Sequence, residues 1–233
     1  MDKKSYKSKI DDRLSTIADF VRQNSRVADI GCDHGYLICS LALDGKIVSG
    51  IASDINVKPL EAAIKEIKAN GLNDIIACRL GSGLDNVSAD EVDDIVIAGM
   101  GGETIAKIID ECRWKTDENK RYILQPMSKA PDLRRWLFNN GFSIEQEKIC
   151  IADGKYYAVM ATRFSKEYKN IGLYDYDSYV GRLETKLAIT KTYIKKSVQS
   201  LLKKKNGLEK QGVEDTEEIT KLIDCLKRSI EED

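Results

Sequence analysis

The sequence predicts an α/β fold: a mostly parallel sheet of seven strands with helices on both faces, an antiparallel edge, and a helical hairpin at the C-terminus. Three observations predict it. Strand-like and helix-like segments alternate five times before a change of pattern near residue 140, the order expected of right-handed crossovers onto a parallel sheet. Two more strand-like segments then meet at Asp153-Gly154, a hairpin signal that demands an antiparallel pair. Beyond about residue 165 strand signals stop and apolar residues recur only at helical spacing.

Each element follows from its pattern. Residues 3–24 are expected to be helical, because Ile10, Leu14, Ile17 and Val21 share one face. Residues 26–30 (RVADI) read as a strand, 35–44 as a helix and 47–54 (IVSGIASD) as a second strand. Residues 58–70 form the next helix, stopped by Asn70-Gly71. Strands are expected at 74–80 and at 94–98, the latter almost all branched aliphatics, as a buried parallel strand requires. Helix 102–113 and strand 121–125 follow, and Pro126 and Pro131 bracket a loop before helix 132–140. Residues 142–150 and 155–164 are the two hairpin strands.

In the tail, Val180, Leu183, Leu187, Ile194, Val198 and Leu201 fall on one helical stripe, and Ile219, Leu222, Leu226 and Ile230 on another. Asn206-Gly207 and a polar stretch to about Glu214 lie between them. An antiparallel coiled coil is the simplest reading. The expected division is therefore a domain at 1–165 and a coiled-coil appendage at 166–233.

Composition narrows the function. Of 233 residues, 42% are hydrophobic and 32% charged, which excludes a disordered chain. The net charge of −1 excludes a uniformly basic nucleic-acid binder but not a local basic face. The six cysteines, at 32, 39, 78, 112, 150 and 225, form no Cys-x-x-Cys pair, which removes support for zinc-ribbon and thioredoxin-type sites. Their scatter through apolar segments suits buried, reduced thiols. The start MDKKSYKSKIDD has no apolar core, and no run approaches the roughly 20 apolar residues that span a bilayer. A cytoplasmic protein with no metal and no membrane partner is expected.

The chemistry concentrates in Asp29-Ile-Gly31-Cys32-Asp33-His34-Gly35, where a strand turns into a helix. Gly31 lets backbone approach a ligand, and the helix N-terminus beyond suits a carboxylate. The next strand ends in Asp54, placed to accept hydrogen bonds from two ribose hydroxyls. A dinucleotide site would want G-x-G-x-x-G here. An acid in the turn instead repels a pyrophosphate and favours a cationic ligand such as the ammonium and sulfonium of S-adenosylmethionine. A Gly-rich bend can also be only a bend, and it is Asp54 at the correct strand end that raises this one to a cofactor site.

The loop D-I-G-C-D-H-G-Y-L, the strand end S-D-I-N with Pro59-Leu60 after it, R-L-G-S-G-L, A-G-M-G-G, and L-Q-P-M followed by L-R-x-W-L and G-F occur in that order over about residues 10–164. Together they resemble the TrmK family, class I (Rossmann-like) S-adenosylmethionine-dependent methyltransferases that modify N1 of adenine 22 in bacterial tRNA. The tail is similar to that family's in kind, not in specific residues. The resemblance implies S-adenosyl-L-methionine as cofactor and tRNA as partner, with a monomeric enzyme the working expectation. It implies that Asp29, Gly31, Asp33, His34, Gly35 and Tyr36 form the first cofactor loop. Asp54, Ile55 and Asn56 would hold the ribose and adenine side, Gly81, Ser82, Gly83 and Leu84 would wrap the adenine, and Gly99, Met100, Gly101 and Gly102 would floor the transfer site. One departure stands out: many members carry an acid where this chain has Ser82, so a weaker adenine contact is expected.

Asp33, Met100 and Gly101 are the candidates nearest the chemistry, Asp33 as a positioning carboxylate and Met100 as a surface for a flipped base or as core. His34, the only histidine, is a candidate for pocket contact. For RNA contact the candidates are Lys7 and Arg13 near the start, with Lys3, Lys4 and Lys9 beside them; Gln125, Arg134 and Arg135; and Lys191 and Lys195. The last two sit among seven lysines with no acid between 186 and 205, a stripe suited to phosphates unless the acidic final helix neutralises it. Two other functions remain open at this level: a methyltransferase acting on a small molecule or a protein, and a non-catalytic RNA-binding protein.

Overall fold

The structure is a computed structural model that describes residues 10–213 and 216–231. Lys3, Lys4, Lys7 and Lys9 lie outside the described residues. One seven-stranded sheet has the order β3-β2-β1-β4-β5-β7-β6. Its strands are β1 Ser25–Ile30, β2 Ile47–Asp54, β3 Ile76–Leu80, β4 Asp94–Gly101, β5 Arg121–Ser128, β6 Phe142–Ala152 and β7 Lys155–Phe164. The first five pair in parallel and β7 runs antiparallel to both β5 and β6, the predicted architecture. Asp153 and Gly154 both adopt positive φ at the β6–β7 turn, as a tight hairpin with right-handed strand twist requires.

The crossover helices are α1 Asp12–Phe20, α2 Tyr36–Leu43, α3 Val57–Ala69, α4 Gly102–Glu111 and α5 Ala130–Asn139. The first is shorter than its apolar stripe suggests. The Asp11 carboxylate accepts from the Leu14 N–H at 2.8 Å and caps its start, while Val21 is already extended. Strands β4 and β5 run longer than predicted, pairing with a shifted register through Met100, Pro126 and Ser128. That irregular stretch accommodates Pro126, which has no N–H to give.

Alternation along the strands sends side chains to two cores. Val27, Val96 and Ile123 pack under α1, α2 and α3, while Ala28, Ile95, Ile97, Tyr122 and Leu124 pack under α4 and α5. The second core continues without a break into the tail, whose helices are α6 Tyr176–Val180, α7 Ala188–Lys210 and α8 Glu217–Glu231. Ile194, Val198 and Leu201 of α7 and Ile219, Leu222 and Leu226 of α8 are buried there, as their spacing predicts. Two expectations are corrected. Val180 and Leu183 precede the long helix, which begins only after Leu187. Asn206-Gly207 does not end that helix: it continues to Lys210 and stops at Gly212, which takes positive φ.

One ion pair fastens the tail to the sheet. Arg134 of α5 is wholly buried; its Nε donates to Glu147 Oε1 of β6 at 2.7 Å and its Nη1 to the carbonyls of Ser178 and Tyr179 at 3.0 and 3.2 Å. Glu147 Oε2 accepts from the Arg182 N–H at 3.0 Å. The Glu147 charge holds Arg134 protonated, outweighing the burial that opposes it. Arg134 is therefore not available to RNA, contrary to the sequence reading, because its charge is spent on Glu147 and two carbonyls inside the fold. Removing one partner leaves the other charged in a dry environment, so Glu147→Gln is expected to lower stability by about 3–5 kcal/mol. Urea unfolding checks this, and the Arg134→Met/Glu147→Leu pair should recover much of the loss.

Candidate active site

The strand order reverses between β1 and β4, and a crevice opens at the C-terminal ends of the strands at such a point. A cavity of about 580 Å³ lies there, within the range of small-molecule sites. The loop after β1 forms one wall. Gly31, Asp33 and Gly35 all take positive φ, so every second residue of the bend is left-handed. A Cβ on Gly31 would meet only the movable Met100 methyl, so it is the left-handed backbone that calls for glycine here. Asp29 and Tyr36 line the same wall. Gly35 does not: it starts α2, packed against Ala63, and serves the bend rather than the cavity surface.

Two carboxylates sit at neighbouring strand ends. Asp54 is nearly buried and each of its oxygens already accepts a backbone N–H, Oδ1 from Asn56 at 2.8 Å and Oδ2 from Asp33 at 3.3 Å. Each oxygen keeps a lone pair for a further donor such as a ribose hydroxyl. Asp29 is also buried, and burial first, then the nearby Asp54 charge, push its carboxyl up to about 7, while Arg13 pulls the other way. A cationic ligand group beside Asp29 would reverse that shift.

Ile55, Asn56, Gly81, Ser82 and Gly83 line the cavity beyond Asp54. Leu84 does not; it is buried in the core beneath, because the chain turns inward after Gly83. His34 and Asp33 sit on the rim with more than half of each side chain exposed, joined by Nδ1 to Oδ1 at 2.9 Å, and the imidazole stacks on Tyr36.

At the opposite end, Gly99 and Met100 line the cavity and Gly101 lies beside it at the start of α4. Gly99 has positive φ and open space where a Cβ would be. Its N–H donates to Gln125 Oε1 at 3.2 Å, and the same oxygen accepts from Arg13 Nη1 at 2.9 Å. Gln125 is fully buried. It is a brace between α1 and the glycine floor and not the RNA contact that its strand-end position suggested. Arg13, by contrast, reaches the cavity wall. Arg135 is half-buried and paired with Asp132 at 3.1 Å, Lys195 is exposed, and Lys191 is half-buried.

The sequence reading missed Leu14, Thr104, Lys107, Ile108, Glu111 and Met127 as cavity residues. Four of these recur on one face of α4 at helical spacing, a signal that was present but indistinguishable from an ordinary surface stripe. All six cysteines are free thiols. Among the described residues no group of three His, Cys, Asp or Glu side chains could hold a metal ion, and no helix is long and apolar enough to cross a membrane.

Two acids at adjacent strand ends, a left-handed bend and a backbone floor form a donor set whose chemistry fits S-adenosylmethionine, with Asp54 able to accept from a diol and Asp29 able to face a cation. Comparison with known proteins agrees. Residues 10–160 match a family model described as a methyltransferase domain. The chain is 38% identical over 152 residues to the tRNA (adenine(22)-N(1))-methyltransferase of Bacillus subtilis, a match covering 65% of this chain and 64% of that protein. The matched stretch thus spans a little under two thirds of that relative's length. Two solved structures align over 95% of the chain. A tRNA (m1A22) methyltransferase from Streptococcus pneumoniae, described as putative and solved with S-adenosyl-L-methionine, is 32% identical with TM-score 0.80 over 99% of its length. B. subtilis TrmK is 30% identical with TM-score 0.78 over 96%. The chain belongs to the methyltransferase-domain family and, within it, to the TrmK family of tRNA (adenine(22)-N(1))-methyltransferases.

Proposed function

We propose that the protein transfers a methyl group from S-adenosylmethionine to N1 of adenine 22 in tRNA. The observation that carries this reading is that the likeness to a relative solved with S-adenosyl-L-methionine extends over 95% of the chain, the C-terminal helices as well as the sheet. When bound, the cofactor supplies an electrophilic methyl on a sulfonium. Adenine N1 offers an in-plane lone pair, so no residue has to remove a proton first, and rate enhancement comes from alignment and exclusion of water. Adenine 22 lies in a folded stem region and has to leave its stack to react.

Asp54 would hold the ribose, and Gly81, Ser82 and Gly83 the adenine. Asp29 would neutralise the amino-acid end, with Asp33, His34 and Tyr36 at its rim. Gly99 and Met100 would form the surface under the acceptor base, and Gly99, with no side chain in the way, lets a flat ring approach. Residues 1–165 would then carry cofactor and chemistry, and 166–233 would help seat the tRNA through Lys191 and Lys195. Because α7 and α8 share the sheet's core, point variants test that division better than truncation. The reading places a monomeric enzyme in the cytoplasm.

Three measurements test it. Incubation with unmodified tRNA transcript should add 14 mass units (one CH₂) at a single adenine. Methylation of small molecules or proteins alone would favour the alternative acceptors, and the absence of saturable cofactor binding would favour a non-catalytic RNA-binding protein. Asp54→Asn should weaken cofactor binding tenfold or more, about 1.5–3 kcal/mol for a charged acceptor, as read by calorimetry. The raised Asp29 carboxyl sets two opposite pH trends. Asp29 binds its proton more tightly folded than unfolded, so its contribution to stability falls as pH rises from about 4 to about 7 and then levels. A cation binds the ionised form, so cofactor affinity should instead rise from pH 6 to pH 8 with release of a proton. Asp29→Asn should flatten both trends.

A further inference from the structure

A second cleft, of about 380 Å³, lies between the loop after β5 and helix α7. Tyr156 of β7, Tyr179 of α6 and Tyr193 of α7 line it together with Ser128, Ser197 and Lys204. Met127 lines both this cleft and the cofactor cavity, so the two adjoin at the Gly99–Met100 end, where the acceptor base would sit. We infer that this cleft binds an unstacked nucleotide of the RNA beside the methylated one, its base among the tyrosine rings and its phosphate toward the lysines of α7. The inference rests on the tRNA reading above and deepens it.

Three features select that ligand. Aromatic rings interleaved with hydroxyls suit a nucleobase, which has two stacking faces and a polar edge, and single-stranded RNA is read in this way. Among the described residues none of the groups lining the cleft is acidic. Two cations, Lys204 in the lining and Lys196 beside it, form no ion pair among the described residues. Lys196 lies over the Tyr156 ring at 4.2 Å and Lys204 over the Tyr174 ring at 5.1 Å. A ring positions an ammonium but leaves its charge available to a phosphate. Lys129, on the opposite lip, is by contrast paired with Glu103 at 2.6 Å. The lip itself is fixed in place. Lys129 takes positive φ, and its carbonyl oxygen lies where a Cβ on Gly102 would come within 2.5 Å.

Filling the cleft tests the inference. Ser197→Trp places an indole where the base would lie, and Lys204→Glu reverses an exposed charge with little risk to the fold. Both should bind S-adenosylmethionine with unchanged affinity, raise KM for tRNA at least tenfold, leave kcat within about twofold, and weaken tRNA retention on filters by a similar factor. A tRNA carrying a photoreactive thiouridine next to adenine 22 should crosslink to the wild-type protein at Tyr156 or Tyr193. If both variants fold and methylate tRNA with the wild-type KM, or the crosslinks fall elsewhere, the cleft is not a nucleotide site. If the wild-type protein binds cofactor yet methylates no tRNA, the underlying reading fails instead.

Discussion

Two carboxylates at adjacent parallel strand ends set the terms for the rest of the molecule. Asp29 and Asp54 are both nearly buried, and the Asp54 charge adds to the burial that pushes the Asp29 carboxyl up. Asp54 is kept in place by two backbone N–H groups, and one of these comes from Asp33, in the bend that follows Asp29. The left-handed residues of that bend and the start of α2 at Tyr36 both serve this arrangement. A buried pair of acids with few partners is costly in an empty protein and becomes favourable with a cationic, hydroxyl-rich ligand. The crevice is thus polarised before anything enters it.

The fold was legible because its signals are local and repeated. Branched aliphatics in β4, the fivefold alternation of strand and helix, and Asp153-Gly154 each point to one structure, and they agree with one another. Boundaries were less legible where tertiary contacts override propensity. Gly207 is a poor helix residue by roughly 1 kcal/mol, yet α7 passes through it because Leu201 upstream and the packing of α8 hold that stretch in place. Strand β4 outruns its aliphatic core because Met100 and Gly101 beyond it still pair with β5.

Within the site, the residues that bend the backbone or end a strand could be read from sequence, since glycine and acid at such positions have few other uses. Residues that arrive from a distance could not. Arg134 and Gln125 are polar and lie close to motif residues, so they looked like contacts for a partner; both are buried inside hydrogen-bond networks whose other members are far away in sequence. Arg13 reaches the cavity only because α1 crosses beside the ends of β4 and β5. Four residues of α4 line the cavity because of how that helix is seated, not because of what they are.

The Arg134–Glu147 pair also governs how the C-terminal helices can move. A dry ion pair has no partly open state of low energy: water must reach both charges or neither. The helices are held to the sheet by charge near Ser178–Arg182 and by a shared apolar core beyond it, so parting them from the sheet would bare an ion pair and an apolar face together.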